Sequence, residues 1–144
     1  MNALATRGAI AHIIAEMGDP GEALRQTREI LAAEERALGP DHTNTLSTRQ
    51  SLAQYLARSG NLSGGIDVLA DLLPDLIRAL GADHPDVFDA RSDLARYHRQ
   101  NGNRAQAVRR LQEVLADLGR IHGAEDHRVV LARQELDDLL VQPE

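Results

Sequence analysis

The chain has 144 residues and a net charge of −6, with sixteen arginines, no lysine and no cysteine. Without cysteine there can be no disulfide, thiolate nucleophile or Cys-based metal site. An acidic balance with no basic tail argues against nonspecific binding to nucleic acid or anionic membranes, which need clustered positive charge. No apolar run approaches the ~20 residues of a membrane span, and no basic segment followed by an apolar run opens the chain, so a cytoplasmic protein is expected. With no Trp, one Phe and two Tyr, the core must be built of Leu, Ile, Val and Ala, which suit packed helices.

The spacing of apolar residues predicts helices over 3–17, 20–37, 44–58, 62–79, 86–100, 104–120 and 127–140. Along the chain they alternate between two patterns. In the first, Leu4, Ile10, Ala11 and Ile13 form one apolar face, and a glycine, Gly18, closes the helix. The same face returns as Leu46, Leu52, Ala53 and Tyr55 before Gly60, and as Phe88, Leu94, Ala95 and Tyr97 before Gly102. The second pattern is Leu24, Thr27, Ile30 and Leu31, repeated as Ile66, Leu69, Leu72 and Leu73 and as Val108, Leu111, Val114 and Leu115. Within each pair the turn is short, which makes the two helices antiparallel. The small column Ala23, Gly65 and Ala107 allows them to approach closely.

Each second helix runs into the same phrase. Gly39-Pro40-Asp41-His42 is followed by Gly81-Ala82-Asp83-His84, then by Gly123-Ala124-Glu125-Asp126-His127, which reads as one residue longer. The differences 81 − 39 and 123 − 81 are both 42. A period of that size marks a repeat array, with repeats at 1–42, 43–84 and 85–126 in one domain. A capping helix over 127–140 would end it, Asp137 and Asp138 placing charge where a further helix would pack. The chain could equally be a piece of a longer array. Pro74 falls inside the fourth helix, and a kink is expected between Ala70 and Pro74.

These columns resemble the tetratricopeptide repeats of the kinesin-light-chain type. The resemblance rests on Leu52-Ala53-Gln54-Tyr55 to Gly60 and on Leu80-Gly81-Ala82-Asp83-His84-Pro85 to Gly102. It covers nearly the whole chain and departs from the pattern at Gly8, Ile13 and Gly65. It implies an all-α fold: a right-handed α-solenoid of antiparallel helical hairpins, about seven helices in all. It also implies a non-catalytic scaffold whose inner helices line a concave groove for a peptide or protein. The phrase Thr45-Leu46-Ser47-Thr48-Arg49 is similar to bacterial versions that follow nucleotide-binding domains in signalling proteins.

Three polar patterns are candidates for chemistry. Arg7, Arg49, Arg91 and Arg133 recur every repeat and could form a rail for carboxylates, although recurrence favours a structural pairing. Asp41-His42 and its copies invite an acid–base or metal reading, yet no nucleophile or third ligand accompanies them. The expectation is that aspartate caps the next helix while histidine packs against it, and that the third joint bulges around Glu125. His122, Asp126 and His127 match no established metal motif.

Specificity should sit where the repeats differ on the groove face. That reasoning selects Arg49, Gln50, Gln54, Arg58, Arg91, Ser92, Arg96 and Arg99 as the partner-binding residues. Neither catalytic residues nor a cofactor or metal is expected. The expected ligand is a peptide or protein segment that is acidic or carries a free carboxylate. The chain itself is expected as a monomer or weak homodimer, and self-association through exposed helical ends is the competing reading.

Overall fold

The computed structural model describes residues 3–141. Among them are seven helices and no strand: α1 (Ala3–Glu16), α2 (Pro20–Leu38), α3 (Thr43–Arg58), α4 (Leu62–Leu80), α5 (Pro85–Gln100), α6 (Arg104–His122) and α7 (His127–Val141). Every boundary falls within two residues of the sequence expectation. Contacts gather the chain into two compact units, Met1–Asp75 and Leu76–Glu144. The division falls inside α4, one residue beyond Pro74, whose ring removes a donor from an otherwise continuous helix.

Turn chemistry repeats with the period. Gly18, Gly60 and Gly102 end α1, α3 and α5 with φ of 91°, 98° and 81°, a left-handed conformation that favours glycine. The residue after each of these glycines fixes the start of the next helix. Asp19, Asn61 and Asn103 accept from the backbone N–H groups of Glu22, Gly64 and Gln106 at 3.0, 2.9 and 3.2 Å, capping α2, α4 and α6.

The joints between hairpins differ from the sequence expectation in two respects. At α3 and α5 the capping acceptor is histidine: Asn44 N–H donates to His42 Nδ1 at 3.1 Å, and Asp86 N–H to His84 Nδ1 at 3.0 Å. The third joint carries no bulge. Asp126 occupies the place of His42 and His84 and accepts from Arg128 N–H at 2.9 Å, while His127 begins α7 as Thr43 and Pro85 begin α3 and α5. All three turns close alike, with the cap residue's N–H on the carbonyl of Gly39, Gly81 or Gly123. A carboxylate oxygen serves as an N-cap acceptor as well as an imidazole nitrogen does, so the residue type changed and the length did not. Arg128 bonded to Asp126 holds that carboxyl below the usual carboxylate range.

In the second unit a continuous core joins α5, α6 and α7. Ala95, Ala107, Leu111, Val114, Leu118, Val129, Ala132, Leu136 and Leu139 are all buried, each large member contributing about 1.5–3 kcal/mol. In the first unit Tyr55 of α3 packs with Ala15 and Ala23 of the preceding hairpin. Gly65 shows why the small column matters there. A Cβ at that position would lie 2.9 Å from the Ala53 carbonyl oxygen, so α4 approaches α3 more closely than alanine allows. The departure from the family pattern at Gly65 is thus a tighter helix crossing.

The apolar columns are not buried equally. Tyr55, Tyr97 and Leu139 are 3–4% exposed, whereas Ile13 in the same column is 56% exposed and Ile10 46%. In α3 this column is covered by the hairpin before it; α1 has no such neighbour among the described residues.

Candidate functional site

The arginine column forms ion pairs inside hairpins. Arg7 meets Glu29 at 3.1 Å, Arg49 meets Asp75 at 2.9 Å and Arg91 meets Asp117 at 2.8 Å. The arginine side chains become progressively less exposed, from 43% through 19% to 10%. Asp75 and Asp117 stand one repeat apart, and the first copy has Ala33 in that place. Arg7 therefore pairs one helical turn earlier, with Glu29. Arg133, in α7, is exposed and has no ion-pair partner among the described residues. Two of the expected groove residues, Arg49 and Arg91, thus spend their guanidinium groups on the scaffold.

The others fall into the two units. In the first, Gln50 and Gln54 are half-buried on α3. Arg58 reaches back to the end of α1, 3.2 Å from both Glu16 Oε1 and the Ala15 carbonyl, where a cation suits the negative end of the helix.

In the second unit the structure brings Ser92, Arg96 and Arg99 together on one wall of a cleft of about 200 Å³. They are spaced to share one face of α5. Glu135 and Leu139 of α7 form the facing wall, and Ala95 and Leu111 supply apolar floor. Arg96 donates to Asp93 at 2.7 Å, and its guanidinium lies 5.4 Å from the Tyr97 ring centroid, a cation–π arrangement. Arg99 is exposed and has no ion-pair partner among the described residues.

Charge runs along α5. Asp86, Asp89 and Asp93 come first along it, and Arg96 and Arg99 follow in its last two turns. Partial burial, with Asp93 and Asp86 nearby, pushes the Asp89 carboxyl up. Burial and the neighbouring Arg110 push His98 down, favouring neutral imidazole beside the arginines. The C-terminal end of the α5 face is therefore more positive than its start.

Among the described residues no three His, Asp or Glu side chains gather as a metal site. His122 Nε2 points to Asp83 at 3.6 Å, and Asp126 is occupied by capping and by Arg128 at 3.3 Å. Among the same residues no helix is long and apolar enough to cross a membrane. Sequence reasoning missed one polar residue, Glu34. It is 5% exposed, and it stands where later repeats have Leu76 and Leu118, a column one turn beyond those traced from the sequence.

Tandem antiparallel hairpins, with caps, ion pairs and core positions recurring at one period, define a helical-repeat scaffold. A tetratricopeptide repeat model matches residues 2–64, and a second tetratricopeptide repeat model matches 45–86 and 87–128. The chain belongs to the tetratricopeptide repeat family, whose repeats form protein–protein interaction scaffolds. Among solved structures it is similar to a putative kinesin light chain with nearly identical TPR-like repeats from Podosopora anserina, at 21% identity and a TM-score of 0.78. That match covers 94% of this chain and 64% of the fungal one. It is also similar to BtubC (BKLC) from P. vanneervenii, at 22% identity and a TM-score of 0.72, covering 92% of this chain and 52% of that one. The chain thus spans roughly half to two thirds of the structures it resembles. No curated protein matches it in sequence.

Proposed function

We propose that the chain is a non-catalytic binding module that takes an acidic peptide segment, or one ending in a carboxylate, in the cleft between α5 and α7. The observation that carries this reading is Arg99. It is a guanidinium with no ion-pair partner among the described residues, on the wall of a cleft with apolar floor at Ala95 and Leu111. A guanidinium recognises a carboxylate through paired hydrogen bonds, and the floor accepts an aliphatic or aromatic side chain beside it. Glu135 on the facing wall disfavours a second acidic residue there. The phrase from Thr45 to Arg49, similar to bacterial repeats that follow nucleotide-binding domains in signalling proteins, suits a cytoplasmic, regulatory setting.

Peptides selected from a display library on the immobilised chain should be acidic. Replacing Arg96 and Arg99 together by Glu should weaken the selected peptides at least about tenfold, since two charge-assisted contacts become repulsive. The helical circular dichroism should stay unchanged. Unchanged affinity would remove the cleft assignment.

A second reading, self-association, is favoured by the apolar stripe of α1. Ile10 and Ile13 on α1 are 46% and 56% exposed, and Met17, just beyond its end, is 80% exposed. If this stripe joins two copies, light scattering should show mass rising with concentration and Ile13→Arg should abolish the rise. A constant monomer mass at all concentrations rejects it.

A further inference from the structure

We propose that a second cleft, bounded by α1, α2 and α3 in the first unit, binds an alkylammonium group, supplied by a lysine side chain or a peptide amino terminus. The cleft holds about 200 Å³, room for on the order of six waters at about 30 Å³ each. Leu4 and Ile30 give it aliphatic walls, and Glu34, Ser47 and Thr48 give it a polar end. At Gly8, on the α1 side, a side chain would meet nothing within 4 Å, so this wall is open.

The polar end is defined by Glu34. A carboxylate 5% exposed is costly to hold unless charge and hydrogen bonds compensate it. Among the described residues its one hydrogen-bond partner is the Thr48 hydroxyl. That hydroxyl also lies 3.0 Å from the Asn44 carbonyl, and with a single proton it serves one acceptor at a time. No arginine or histidine of the described residues pairs with Glu34. A buried carboxylate lining an open cleft, with Ser47 also in that lining, is a receptor for a cation. The aliphatic walls match the methylene stem that precedes an ammonium.

The repeats show that the polarity is local to this cleft. Glu34 and Thr48 stand where the later copies have Leu76 with Ala90 and Leu118 with Ala132, all buried. Two columns change from apolar to polar in the same place, and the changed residues touch. This site is separate from the α5 cleft and of opposite charge preference, so the two assignments stand or fall independently.

The test uses the whole chain with methyl groups labelled for NMR, titrated with n-butylammonium chloride. The Leu4, Ile30 and Thr48 methyl signals should shift saturably, and n-butanol should leave them in place. In Glu34→Gln, which keeps an acceptor for Thr48, affinity should fall about tenfold with loss of the charge-assisted bond. Its unperturbed core methyl signals report that the fold survives. If that variant does not fold, Gly8→Leu, which fills the cleft from the open wall, should abolish the shifts. Nα-acetyl-lysine methylamide and glycyl-glycine amide then separate the two sources of ammonium. Absence of saturable shifts with all three amines, equal shifts from butanol, or undiminished binding by both variants would overturn the proposal.

Discussion

Replacing Glu34 by Leu and Thr48 by Ala together should stabilise the first unit by about 1 kcal/mol or more, since buried ion pairs replaced by well-packed apolar residues gain up to about 4 kcal/mol and Glu34 has only a hydroxyl partner. The double change restores the pairing that the chain already uses twice, Leu76 with Ala90 and Leu118 with Ala132, each 1–3% exposed. It removes a desolvated carboxylate and fills part of the cleft beside it. Thr48→Ala alone should destabilise, because Glu34 then loses its hydrogen-bond donor while still buried. Urea titration followed by methyl signals of the first unit measures both effects. Equal stability of the double variant and the parent would mean that Glu34 is already compensated and that the cleft stores no destabilisation for a ligand to relieve.

The second large effect lies in the arginine column. Asp117→Ala should cost about 2–3 kcal/mol. It leaves the Arg91 guanidinium, with a side chain only 10% exposed, buried without its carboxylate. Arg91 Nε is already buried with no hydrogen-bond partner, so removing Asp117 adds to an existing deficit of acceptors. Glu29→Ala removes the corresponding partner of Arg7, but both side chains there are about half exposed. Water replaces the lost contact, and the cost should stay below about 1 kcal/mol. The comparison is made by thermal or urea unfolding of the two variants. Similar costs at both positions would show that burial does not grade the column.

The helices, their boundaries and their pairing were legible because the apolar columns repeat, and each copy corroborates the others. What the sequence could not show depends on contacts between elements. The partner of Arg7 is Glu29 whereas Arg49 and Arg91 reach one turn further, because Ala33 offers no carboxylate. That choice depends on how two helices lie in register. Capping by His42 and His84 was hidden by matching the letters Asp-His; counting from Gly39, Gly81 and Gly123 instead puts His42, His84 and Asp126 in one column. Ile10 and Ile13 read as core from their periodicity, yet burial also requires a neighbouring helix to cover them. Glu34 was overlooked because Ala-Ala-Glu-Glu-Arg looks like a solvated helix face when read alone. Of the groove residues, Ser92, Arg96 and Arg99 come together in one cleft; Arg49, Arg58 and Arg91 have partners inside the chain, as Arg96 has in Asp93.

The scaffold is thus made by residues that recur, and recognition is assigned to those that do not. The most direct measurement is the affinity of display-selected peptides for Arg99→Glu, made alongside its thermal unfolding. Arg99 has no ion-pair partner to lose among the described residues, so the account predicts at least about tenfold weaker binding with an unchanged melting temperature. Full affinity in that variant, or a loss of binding that appears only together with a loss of stability, would contradict it.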